Sequence, residues 1–177
     1  MIETLISSKT RIKLLMKFFI NSHTTAYLRS LESEFGDSSN AIRVELNRLE
    51  QAGMLMSQMN GNKKIFRANT EHPLFREIHN ILLKQIGLDR VIENVVERLG
   101  EVERVFLIGA FSQGTDSQII DLILIGDIDR NYLIHLIDKA EGLIKRKIRY
   151  LIYDGEEFDN MNLNEFEPQP LLLWSRE

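Results

Sequence analysis

Cysteine is absent from all 177 residues. That removes disulfides, thiolate metal sites and thiol redox sensing together. Long apolar runs are absent too: a bilayer-spanning helix needs about 20 consecutive apolar residues, and the run at 122–125 falls far short. The first residues show no basic segment followed by an apolar stretch and a small-residue cleavage site, so no secretion signal is expected. Neither an internal repeat nor a low-complexity linker is visible. The four histidines, His23, His72, His79 and His135, lack ligand spacing, although His72 and His79 lie one helical stretch apart. They are expected to be surface or packing residues, with no metal and no cofactor. A cytoplasmic chain without a membrane partner is the default expectation.

What is present is ordinary in amount and uneven in placement. Apolar residues make up 44% and charged residues 27%, as in globular domains generally, and the length suits one compact domain or two small ones. Net charge is −4. Residues 1–70 hold 10 Lys and Arg against 6 Asp and Glu, whereas residues 71–177 hold 12 against 20. A basic small part joined to an acidic larger one is the asymmetry expected where only one module meets phosphate.

Periodicity organises the basic part. Ile12, Leu15, Met16 and Phe19 recur at helical spacing. After a break in which Thr24 or Thr25 can cap, Leu28, Leu31 and Phe35 form a second stripe stopped by Gly36. A third helix runs from about Asn40 to Ala52, with Ile42, Leu46 and Leu49 inward and Gly53 at its end. Two short β-like runs follow, joined through Asn60-Gly61, a strong hairpin signal. Three helices and a hairpin are the order of a winged helix-turn-helix. In that arrangement Ser39, Asn40, Arg43 and Asn47, on the exposed face of the third helix, are candidates to meet base edges. Lys63, Lys64 and Arg67 on the hairpin are candidates for the phosphate backbone.

A connecting helix is expected over 71–88, with Pro73 near its start, an apolar stripe through Leu74, Ile78, Ile81 and Leu82, and Gly87 as a hinge. From Leu88 the pattern becomes helix, strand, strand, helix, strand, with "PLLLW" as a fourth strand. Continuous apolar runs such as "IIDLILIG" mark strands covered on both faces. The expected class is α+β: a winged helix-turn-helix over 1–70, a connecting helix over 71–88, and a small α/β domain with a mixed sheet over 89–177.

Two resemblances rest on these residues. "SSNAIRVELNRLEQAGML" with "NGNKKIFRAN" resembles the recognition helix and wing of ArsR-like winged-helix transcriptional regulators, across residues 9–70. That implies double-stranded DNA as partner and a homodimer, for which the apolar stripe at 74–82 is one candidate interface and packing within the monomer the other reading. "GAFSQGTDSQIIDLILIG" is similar to the signature of minimal nucleotidyltransferases, which use a Gly-Ser turn, an Asp-x-Asp strand and a later carboxylate to hold triphosphate and two Mg²⁺ ions. Laid onto this chain, Gly109 remains, Ala110 replaces the serine, Asp121 alone survives of the acidic pair, and Arg149 stands near the third carboxylate. Asp116 and Asp127 fall on flanking loops. One carboxylate cannot gather two hard divalent ions, so a catalytically degenerate domain is expected. It would serve a small-molecule or protein effector, or dimerisation. The alternatives left open are an active nucleotidyltransferase targeted by the winged helix, and a winged helix that binds protein.

Overall fold

The computed structural model describes residues 2–99, 101–161, 163 and 166–176. The chain divides into two compact units, Met1–Gln85 and Ile86–Glu177. It is a mixed α and β structure.

The first unit is built from α1 (Ile2–Leu5), α2 (Lys9–Phe19), β1 (Thr25–Tyr27), α3 (Leu28–Phe35), α4 (Ser39–Gln51), β2 (Leu55–Asn60), β3 (Lys63–Ala68) and α5 (Phe75–Ile86), the last residue of which falls in the second unit. Hydroxyl caps start two of the helices: Ser8 Oγ accepts from the Arg11 N–H, and Ser38 Oγ from the Ala41 N–H. Leu14, Phe18, Leu31, Ile42 and Leu46 are fully buried or nearly so, where α2 and α3 pack on α4. A three-stranded antiparallel sheet, ordered β1-β3-β2, completes the unit.

Several local expectations change. The break after α2 is not a cap: Thr25–Tyr27 pairs with β3, and α3 starts one residue later, where Ser30 Oγ receives the Tyr27 N–H. Pairing of Asn60 with Lys63 makes Gly61-Asn62 the two-residue turn. Gly61 takes φ 58° at its first position, which suits glycine. Helix α5 begins at Phe75, so Pro73 precedes it, and the stripe splits: Leu82 is buried whereas Leu74 and Ile81 are exposed. The expected connecting helix therefore belongs, but for its last residue, to the first unit. Gly87, the expected hinge, is buried, and a Cβ there would lie 2.7 Å from the Ile144 side chain.

The second unit runs α6 (Leu88–Val91), a π-helical turn (Ile92–Val96), α7 (Glu97–Leu99), β4 (Val102–Ile108), α8 (Gly109–Ser112), β5 (Ile119–Gly126), α9 (Arg130–Ile144), β6 (Lys147–Tyr153), α10 (Gly155–Asp159) and β7 (Leu171–Ser175). The π turn shifts the helical phase, so Val96 is buried and Leu99 is only half-buried. The sheet order is β6-β5-β4-β7. β5 and β6 are parallel, joined by α9, and the other pairings are antiparallel, so the sheet is mixed. Leu122, Ile123, Leu124 and Ile125 are all fully buried, as a strand covered on both faces requires. Phe158 of α10 packs on Phe106, Ile123 and Ile125, closing one end of one face. No helix among the described residues is long and apolar enough to cross a membrane.

Candidate functional sites

A cleft of about 710 Å³ lies between α3, α4 and the β2–β3 hairpin. Helical periodicity explains its α4 wall: with Ile42, Leu46 and Leu49 buried, Ser39, Arg43 and Asn47 face outward. All three line the cleft, together with Lys63, Lys64 and Asn62 from the hairpin and Arg29 from α3. Four basic side chains thus meet one acidic one, Glu32. Asn40 and Arg67 are exposed but lie outside this wall. Arg29, Tyr27 and Asn62 were not singled out in the sequence. A single arginine in the first turn of a helix gives no periodic signal, and only the fold carries it beside α4.

The two hairpin lysines differ in environment. Lys63 Nζ sits 4.4 Å from the centroid of the Tyr27 ring, a cation–π contact, and has no carboxylate partner among the described residues. Lys64 Nζ is 2.6 Å from Glu50 Oε2 on α4, while Ser57 Oγ donates to the other oxygen of the same carboxylate. The Lys64 hydrogen bond, then that of Ser57, hold the Glu50 carboxyl below its ordinary value. Glu50 thereby ties both strands of the hairpin to α4. Chemically the cleft offers dispersed positive charge along its rim and Arg and Asn side chains at its wall.

In the second unit, Gly109, Asp121 and Arg149 come together. Gly109 opens α8 with φ 69°, and a Cβ there would lie 2.6 Å from Asp121 Oδ2, so only glycine fits beside the carboxylate. Asp121 on β5 stands in register with Arg149 on β6, and Arg149 Nε donates to Asp121 Oδ1 at 2.6 Å. That hydrogen bond, then the Asp121 charge, pushes the guanidinium further up. Two positions earlier, Ile119 is in register with Lys147, which is itself paired to Glu141 at 2.6 Å. Ala110 follows Gly109 on α8, and the Ser112 hydroxyl donates to the Gly109 carbonyl. Asp116 pairs with Arg146 at 2.8 Å, and Asp127 is exposed beyond the other end of β5. Among the described residues, no three His, Asp or Glu side chains gather as a metal site.

His79 donates from Nδ1 to the Phe19 carbonyl at 2.6 Å and stacks on Phe75. His72 Nδ1 accepts the Leu74 N–H just ahead of α5.

No protein-family model matches the chain, and no curated protein matches it. Among solved structures, the chain is similar to the AF1382 protein of Archaeoglobus fulgidus, with 18% identity, 46% of this chain and 93% of that chain covered, and a TM-score of 0.39. It is also similar to a candidate nucleotidyltransferase from Sulfolobus solfataricus, with 19% identity, 55% and 83% covered, and a TM-score of 0.34. Both likenesses are too distant to carry weight, and the functional reading stands on the chain's own geometry.

Proposed function

We propose that this chain is a DNA-binding transcriptional regulator. Its first unit is a winged helix that lays α4 in the major groove and the β2–β3 wing along the backbone. The second unit keeps a nucleotidyltransferase-like frame without catalysis and serves an effector, a partner or self-association. The observation that carries the reading is the cleft in which Arg43, Asn47 and Ser39 of α4 meet Lys63, Asn62 and Arg29. A helix with outward Arg and Asn can pair with guanine and adenine edges, while rim cations neutralise phosphates. For the second unit, the support is the Asp121–Arg149 pair. A cation bound to the one carboxylate at this turn opposes a divalent ion, and Ala110 and Ile119 bring no ligand oxygen.

The test is selection of bound duplexes from a random pool with the full chain, followed by salt titration on the selected site. Enrichment of a defined site, with log K falling linearly against log salt, is expected. Binding that is absent, or indifferent to salt, would sink the reading.

A further inference from the structure

A second cleft in the first unit, of about 380 Å³, is walled by Leu15, Leu49, Met54 and Ile81, with Arg11 and Arg48 at its edge. Its volume is that of a small-molecule pocket. The rim leaves apolar surface in water: Leu5 is 80% exposed and Ile81 47%.

Charge at the edge is unbalanced. Arg11 Nε donates to Glu45 Oε2 at 2.8 Å, and Arg48 Nη1 to Glu45 Oε1 at 3.2 Å. Two guanidiniums therefore share one carboxylate, which lies in the helix α4 and is nearly buried. Each guanidinium has five N–H donors. One from each is committed to Glu45, and the rest have no protein partner among the described residues. An apolar trough ending in one surplus positive charge with spare, fork-shaped donors fits an amphiphilic anion, since arginine takes carboxylates bidentately.

We propose that this cleft binds a small organic acid, a compact apolar body carrying one carboxylate, with the body against Leu15, Leu49, Met54 and Ile81 and the carboxylate on Arg48 and Arg11. Helix α4 lines both this cleft and the basic one, but ligand binding here stands independently of DNA.

Calorimetric titration of the full chain with octanoate, and with 1-octanol as its uncharged counterpart, tests the proposal. Saturable one-to-one binding of octanoate is expected, about tenfold or more tighter than 1-octanol, as a charge-assisted contact implies. Arg48→Met should remove that preference and leave 1-octanol binding unchanged; Glu45 keeps Arg11, and far-UV circular dichroism checks the fold. Ile81→Asn, at an exposed position, should weaken both ligands. Absence of saturable octanoate binding, equal affinity for the two ligands, or indifference to both substitutions would overturn the proposal. So would sedimentation showing a dimer that excludes octanoate and separates in Ile81→Asn, which would assign the cleft to a second copy of the chain.

Discussion

Lys63 and Lys64 are adjacent, yet among the described residues only Lys64 is held by a carboxylate, that of Glu50, while Lys63 rests on the Tyr27 ring. Under the DNA reading, Lys63→Ala should flatten the slope of log K against log salt by up to about 0.9, the value for one lost phosphate contact. Lys64→Ala should change it less. Glu50→Gln should do the reverse, releasing Lys64 to the backbone and steepening the slope by up to about 0.9. Fluorescence anisotropy over a series of salt concentrations measures all three, and equal effects of the two lysines would show that the Glu50 pair does not persist in the complex. Arg43→Ala and Asn47→Ala should each weaken a selected site by roughly 1–3 kcal/mol and random duplex by less. Equal losses on both would mean that α4 does not read bases. Asp121→Asn should leave DNA affinity unchanged. Calorimetry with ATP, GTP and CTP, with and without Mg²⁺, is expected to show no metal-dependent nucleotide binding in the parent chain. Such binding, lost in Asp121→Asn, would restore the enzyme reading.

Helix α4 has three working sides: an apolar stripe in the core, an outward Arg and Asn face, and Glu45 bridging Arg11 and Arg48. Burial pushes the Glu45 carboxyl up. Hydrogen bonds from Arg11 and Ser8 and the charges of Arg11 and Arg48 outweigh this, so its net shift is downward. The sign of its pH effect follows. With the folded value below the unfolded value of about 4.3, the unfolded chain binds the proton more readily, so Glu45 stabilises the fold above that pH. The contribution fades as pH falls through the folded value. Asp37, held low chiefly by Lys13, acts in the same direction where the loop before α4 meets α2. Glu45→Gln should cost about 1–3 kcal/mol at pH 7, the scale for a disturbed buried charged hydrogen bond. Thermal melts of both proteins at pH 7, 5, 4 and 3 should draw together as pH falls, and a gap that does not narrow at all between pH 7 and pH 3 would refute an electrostatic role.

At the scale of the molecule, charge follows the division into units. Residues 1–85 carry twelve Lys and Arg against eight Asp and Glu, and residues 86–177 carry ten against eighteen. The second unit should therefore repel a polyanion while the first attracts it. A piece comprising residues 1–85, if its circular dichroism retains helix and strand, should bind random duplex more tightly than the full chain in dilute salt. The two should approach each other as screening shortens the reach of the acidic unit. A full chain that binds more tightly at every salt concentration would show that the second unit supplies contacts of its own.

The sequence by itself determined which segments become helices and strands wherever burial is periodic or continuous: α2, α4, the hairpin, α9 and the three long strands of the second unit. It also determined the outward face of α4 and that Ala110 and Ile119 bring no oxygen ligand beside Asp121, since a side chain that is not encoded cannot be supplied by folding. It did not determine β1, because a three-residue strand has no periodicity of its own and forms only when β3 presents an edge. Nor did it determine the π turn, which changes the phase of a helix without changing its composition. Ion pairs between residues remote in sequence, such as Lys64 with Glu50, Arg149 with Asp121 and Arg11 with Glu45, were decided by the tertiary structure alone. Each depends on which elements lie side by side. The same holds for the two clefts of the first unit: a concave surface belongs to several elements at once, and no single stretch of chain encodes it.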